Sequence, residues 1–311
     1  MGVSRASAAA TAAIAELIGP GEEVVVGDDV YGGTYRYLER VRKPGARITT
    51  AFVDLASGMD ALWEALSERT SLVWFETPTN PLLKVVDIAA VAATIERRAA
   101  QGGRRPLIVV DNTFASPAIQ RPLTLGADIV FHSATKYLAG HSDTILGVAV
   151  TSDDAVAERL RFLQNAMGGV PGPLDCFLVL RGLRTLHVRV ERHQSNARAV
   201  AAFLRERSDI AWVSYPGFGG MVSFIPTAGP GGDGAPGATE RAVAIAEGTR
   251  LFTLAESLGG VESLIEVPAA MTHMSVAGSP LAVDPALVRL SVGIEGVDDL
   301  IDDLRQAIDG G

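Results

Sequence analysis

The feature that most constrains the fold is a set of short, continuously apolar runs, three of which stop abruptly at a reactive polar group. Leu72-Val73-Trp74-Phe75 stops at Glu76, and Leu107-Ile108-Val109-Val110 stops at Asp111. Ile129-Val130-Phe131 leads into His132-Ser133-Ala134-Thr135-Lys136. A further run, Val24-Val25-Val26, precedes them, and helical stretches such as Asp87 to Arg98 lie between. An unbroken apolar run reads as a strand buried on both faces, and strands alternating with helices imply a parallel sheet covered on each side. In open sheets of this kind ligands bind beyond the carboxyl ends of the strands. Glu76, Asp111 and Lys136 are therefore expected to converge on one crevice.

The remaining elements fill out an α/β chain. Ala8 to Ile18 reads as a helix with Ile14, Leu17 and Ile18 on its apolar side, stopped by Gly19-Pro20-Gly21. Ser152 to Met167 reads as a helix with Ser152 as N-cap and a stripe of Val156, Leu160, Leu163 and Met167. A long helix is expected over Val190 to Arg207, and Ala228 to Gly237, rich in Gly and Pro, reads as a surface loop or linker. Val288, Leu290 and Val292 alternate with Arg289 and Ser291, so Arg289 points away from the apolar face. The closing helix, Val297 to Ile308, carries Asp298 and Asp299 in its first turn, where carboxylates suit the helix dipole. The expected division is a large domain over residues 1–168 and a smaller C-terminal α/β domain over residues 169–311.

Composition narrows the function. The 311 residues are 48% hydrophobic, so burial can offset the entropy of ordering the chain. A formal net charge of −9 gives no general attraction for nucleic acid. Mean hydropathy is +0.24, but every apolar run ends far short of the roughly 18 residues a membrane span needs. No membrane association is expected. The single cysteine, Cys176, excludes an internal disulfide, fits a reducing cytoplasmic setting, and reads as a buried small apolar residue. His132, His141, His187, His193 and His273 show no paired ligand spacing, so no metal site is expected.

Lys136 lies just past a buried strand, beside Ser133 and Thr135. A lysine at the rim of an apolar crevice is desolvated, which favours the neutral amine needed for a Schiff base. Ser133 and Thr135 offer hydroxyl donors suited to a phosphate, and Asp111, one strand end away, suits a protonated pyridine nitrogen. Together these are the groups with which a protein turns pyridoxal phosphate into an electron sink. By spacing alone, a solvated surface lysine and a helix-capping aspartate account for the pair equally well.

The longer motifs separate these readings. Asp29-Val30-Tyr31-Gly32-Gly33-Thr34, Glu76-Thr77-Pro78-Thr79-Asn80-Pro81 and Asp111-Asn112-Thr113-Phe114-Ala115-Ser116-Pro117 occur in that order. Ser133 to Tyr137, Gly140-His141-Ser142-Asp143 and the Leu254 to Leu264 segment follow. From about Ala10 onward the chain resembles the pyridoxal-phosphate-dependent trans-sulfuration (Cys/Met metabolism) family, which includes cystathionine γ-lyases, cystathionine γ-synthases and methionine γ-lyases. The resemblance implies the aspartate-aminotransferase-like fold (fold type I of PLP-dependent transferases), with a mostly parallel central sheet and a smaller C-terminal α/β domain. It implies pyridoxal 5'-phosphate as cofactor, a small sulfur amino acid as substrate, and a cytoplasmic homo-oligomer, dimer or tetramer.

By position the resemblance makes Lys136 the Schiff-base lysine and Asp111 the partner of the pyridine nitrogen. It makes Tyr31 the aromatic residue stacked on the ring, also assisting proton transfer, and Ser133 and Thr135 phosphate ligands. Asn80 lies near the cofactor's phenolic oxygen and the substrate carboxylate, Arg289 clamps the substrate α-carboxylate, and Ser257 lines the substrate pocket. Glu256, the Arg161-Phe162-Leu163-Gln164-Asn165 run and Pro173-Leu174-Asp175-Cys176 lean within the family toward γ-elimination of cystathionine. The γ-synthase reaction on an O-acylhomoserine is the alternative.

Two departures accompany the resemblance. The family's N-terminal arm, whose Tyr and Arg reach a neighbouring subunit's cofactor phosphate, is missing from the sequence. As part of the same departure, Ser7, followed by Ala8, stands where the family has a Gly at the phosphate-binding helix start. That helix start still offers N–H groups to a phosphate, although each lost charge-assisted contact costs roughly 1.5–3 kcal/mol. The missing arm raises a third expectation, an inactive truncated relative acting as a binding or assembly subunit. The second departure is a short connection from Tyr215-Pro216-Gly217 into Gly219-Gly220-Met221-Val222-Ser223-Phe224, where the family has a longer one.

Overall fold

The computed structural model describes residues 6–229, 237–272 and 282–310. His273 and most of the expected Ala228 to Gly237 loop lie outside the described residues. The chain divides into two compact units. The first comprises residues 1–80, 84–138 and 143–181, the second residues 81–83, 139–142 and 182–311.

The first unit is built on a six-stranded sheet of β1 (Glu23–Gly27), β2 (Thr49–Val53), β3 (Thr70–Glu76), β4 (Leu107–Asp111), β5 (Ile129–Ser133) and β6 (Gly147–Val150), in the order β2-β1-β3-β4-β5-β6. All neighbours are parallel except β6, which runs antiparallel to β5. Every residue of β3 is buried, as the unbroken apolar run requires. Val73, Phe75, Ile108 and Val110 pack with Val91 and Ile95 of the Ile88–Ala100 helix on one face. Trp74 and Phe131 meet on the other, with ring centroids 6.0 Å apart. The Ala6–Ala15 helix packs against β5 and β6.

That helix ends three residues earlier than the apolar pattern predicts. Leu17 and Ile18 instead close tight turns onto Ile14 and Ala15, and Ile18 remains fully buried. The later helix starts at Asp154, with Asp153 rather than Ser152 as its cap: the Asp153 carboxylate accepts the Val156 N–H at 2.9 Å. A carboxylate here also meets the positive end of the helix dipole, which a serine hydroxyl answers more weakly. Of the predicted stripe only Leu163 is buried. A groove of about 310 Å³ lined by Ala9, Ala13, Ala149, Leu160 and Met167 runs beside it. Cys176, expected to be buried, is only partly so: it sits on the Pro173–Leu183 helix between half-buried Asp175 and exposed Phe177.

The second unit is a five-stranded sheet of β7 (Ile210–Ser214), β8 (Met221–Pro226), β9 (Thr253–Leu254), β10 (Leu264–Glu266) and β11 (Val288–Ser291), in the order β7-β8-β11-β10-β9. Val222, Phe224, Ile265, Val288 and Leu290 pack with Val200, Leu204, Ile245, Leu300 and Leu304 from three helices. Both faces of β11 are buried, so Arg289 points away from this core into a second buried environment rather than to solvent.

Candidate active site

Parallel pairing places the polar ends of β3, β4 and β5 at one edge of the first sheet, with Glu76 and Asp111 as direct register partners. Both side chains are buried. Glu76 Oε1 accepts the Tyr31 backbone N–H at 2.7 Å, tying the segment after β1 to the end of β3. Asp111 Oδ1 accepts the Thr113 N–H at 2.9 Å, and Thr113 Oγ1 accepts the Ser133 N–H at 2.8 Å. The end of β4 is thereby tied to the end of β5.

From Ser133 the chain turns at once. The Lys136 N–H donates to the Ser133 carbonyl at 3.1 Å, and the Thr135 N–H to the Leu146 carbonyl at 3.2 Å. Thr135 Oγ1 accepts the Leu146 N–H at 3.0 Å, which leaves its hydroxyl proton able to donate elsewhere. Lys136 is half-buried, and the neighbouring Tyr137 is buried as an anchor. Asn80 is buried near the start of a turn that Thr79 and Lys84 close with two 2.9 Å hydrogen bonds. Ser7 and Ala8 lie in the Ala6–Ala15 helix, with Ala8 exposed. Tyr31 is 50% exposed.

The electrostatics of the two acids follow from burial. Desolvation, then the Asp111 and Asp29 charges, hold the Glu76 carboxyl well above its ordinary value, against the lowering effect of the Tyr31 N–H. Desolvation raises Asp111 to about 6, opposed by hydrogen bonds from Thr113. Those opposing donors are neutral. A protonated ring nitrogen against Asp111 would supply a charge-assisted donor to a buried carboxylate, so the residues present fit a pyridine cofactor.

Ser257 and Arg289 lie in the second unit. Glu266 and Arg289 are register partners across the antiparallel β10–β11 pair, and a guanidinium nitrogen of Arg289 lies 3.0 Å from Glu266 Oε1. A second guanidinium nitrogen donates to the Ser257 carbonyl at 2.8 Å. Thr272 Oγ1 donates to the same Glu266 oxygen at 3.0 Å. Arg289 is 3% exposed, which excludes a solvated surface arginine. Ser257 adopts φ +87°, a conformation uncommon for a residue with a side chain.

The first unit thus brings together Tyr31, Asp111, Ser133, Thr135 and Lys136 through Glu76 and Thr113, and the second brings together Ser257 and Arg289. Three participants went unread in the sequence: Thr113, Glu266, and Glu76 in its hold on Tyr31. A signal existed for Glu266, an acid ending the apolar Leu264-Ile265 pair, since a buried charge demands a partner. Among the described residues no group of three or more His, Cys, Asp or Glu could hold a metal, and no helix is long and apolar enough to cross a membrane.

Comparison with known proteins gives concordant matches. The model of the family described as Cys/Met metabolism PLP-dependent enzyme matches residues 2–309. A cystathionine γ-lyase of Dictyostelium discoideum is 48% identical over 315 residues, covering 95% of this chain and 77% of the relative. A cystathionine γ-synthase of Mycobacterium tuberculosis is also 48% identical, over 322 residues, covering 98% of this chain and 78% of the relative. The crystal structure of the metB protein of Corynebacterium glutamicum superposes with a TM-score of 0.91 at 41% identity, covering 99% of this chain and 80% of that one.

Proposed function

The chain belongs to the family of Cys/Met metabolism PLP-dependent enzymes, and on that premise we propose that it performs the γ-lyase reaction. Cystathionine and water would yield cysteine, 2-oxobutanoate and ammonia. The fold is the α/β fold type I of that family, and the cofactor is pyridoxal phosphate. The cofactor supplies an aldehyde that takes up an amine and a ring that draws electrons from bonds at the substrate's Cα. The observation that carries the reading is the pairing of a buried acid, Asp111, with the Lys136 turn on the adjacent strand end, joined through Thr113.

In this reading Lys136 Nζ holds the cofactor and carries protons between substrate carbons. Asp111 holds the ring nitrogen and keeps it protonated. Tyr31 covers the ring and assists proton transfer. Ser133 and Thr135 donate their hydroxyls to the phosphate, joined by the backbone N–H groups at Ser7 and Ala8. Arg289 receives the substrate's α-carboxylate; its two terminal guanidinium nitrogens are anchored on Glu266 and the Ser257 carbonyl, and its planar group suits a carboxylate. Asn80 serves the same carboxylate and the cofactor's phenolic oxygen, and Ser257 lines the substrate pocket. The substrate is a small sulfur amino acid.

A second copy of the chain is the proposed partner. Leu174, Phe177 and Leu180 recur every three residues on the Pro173–Leu183 helix and are 69%, 61% and 63% exposed. Apolar patches of this kind on one helix face mark association surfaces.

The γ-synthase reading rests on the relative of that name, which matches as closely as the γ-lyase. Purified chain with added cofactor, given cystathionine alone or cysteine with an O-acylhomoserine, tests both. Release of 2-oxobutanoate from cystathionine is the expected result. Formation of cystathionine, with no 2-oxobutanoate from the first mixture, would replace the γ-lyase reading by the synthase. In either case Lys136→Ala is expected to abolish the absorbance band of lysine-bound cofactor.

A further inference from the structure

Tyr31 is half-exposed, so its surroundings cover only part of it. We infer that Glu76 and Gly33 are positioning residues for Tyr31, Glu76 fixing its backbone and Gly33 leaving the space its ring occupies. The inference rests on the proposal that Tyr31 faces the cofactor ring.

The backbone of Tyr31 is held at both ends. Its N–H donates to Glu76 Oε1 at 2.7 Å, and its carbonyl accepts the Thr34 and Tyr35 N–H groups at 2.9 and 3.1 Å, which starts the Gly32–Tyr37 helix. Glu76 is itself the buried last residue of a wholly buried strand. The ring lies over Gly33. A Cβ added there would fall inside contact distance of Tyr31 Cε1, 3.0 Å from Cδ1 and 3.1 Å from Cζ. Gly33 sits within a helix and its φ is not in the left-handed region, so backbone conformation does not call for glycine. Glycine is also among the weakest helix formers. The room it leaves for the ring is the remaining physical reason for it.

Burial of Glu76 beside Asp111 supports the same assignment. Burial and the charges of Asp111 and Asp29 favour its neutral form, which still accepts the Tyr31 N–H through a carbonyl oxygen. One carboxyl thus borders both the residue assigned to the ring nitrogen and the residue assigned to the ring face.

The test uses the full chain with and without pyridoxal phosphate. In cofactor-free protein carrying 3-fluorotyrosine at position 31, Gly33→Ala is expected to move the fluorine resonance. Glu76→Gln is expected to keep the Tyr31 amide protected from hydrogen exchange, and Glu76→Ala to cut that protection about tenfold. Gly33→Ala is expected to weaken cofactor binding about tenfold. In a Tyr31→Ala background the same change is expected to cost less than about twofold, because the ring it displaces is gone. An unmoved resonance, equal protection in both Glu76 variants, or equal weakening by Gly33→Ala in both backgrounds would overturn the inference. Should Tyr31→Ala leave cofactor affinity unchanged, the assignment of Tyr31 to the cofactor fails instead, and the resonance and exchange results still decide the positioning.

Discussion

Asp111 is where burial and charge oppose each other most directly at the residue scale. Its folded-state pKa of about 6 stands above the ordinary 3.8, so the folded chain holds this proton to higher pH than the unfolded chain does. The stability this contributes is full below about pH 4 and is lost as pH rises through about 6, amounting to roughly 3 kcal/mol. Asp111→Asn has no such proton to lose. In urea denaturation of cofactor-free protein, the variant is therefore expected to gain about 2–3 kcal/mol on the wild type between pH 4 and pH 7.5. An unchanged difference across that range would contradict the burial argument. Asp111 was legible because an apolar run ended on it. Gly33 was not, because nothing local shows which ring a glycine makes room for.

Among the elements, β3, β4 and β5 were visible as unbroken apolar runs, since strands buried on both faces have no polar side to display. Helix starts were read less well: Asp153 displaced Ser152 as cap because a carboxylate both accepts the Val156 N–H and answers the helix dipole. The β10–β11 pair was seen only in part. The alternation around Arg289 marked a strand, but its partner Glu266 lies on another strand, and only the register brings them opposite. Glu266→Gln leaves the Arg289 cation buried without its counter-charge. A loss of about 3–5 kcal/mol is expected in urea denaturation. Replacing both residues by methionine is expected to recover most of that loss, while abolishing the carboxylate clamp proposed for Arg289.

The molecule as a whole leaves an apolar helix face uncovered in the single chain. Phe177→Asp together with Leu180→Asp places charge on residues that are already exposed, so the fold of the protomer is expected to persist. Sedimentation velocity is expected to show a larger assembly for the wild type and a shift to a single chain for the variant. An unchanged assembly would remove this face from the interface.

The sequence by itself determined the α/β class, the parallel run of strands, the family and the cofactor. Those follow from patterns along the chain: apolar runs, the groups that end them, and long motifs in order. Tertiary structure alone decided that Glu76 holds Tyr31, that Thr113 joins the ends of β4 and β5, and that Arg289 is a buried cation paired with Glu266. Tyr31 and Glu76 lie 45 positions apart. Pairings across such separations depend on strand order and register, which the chain acquires only when its strands find their neighbours.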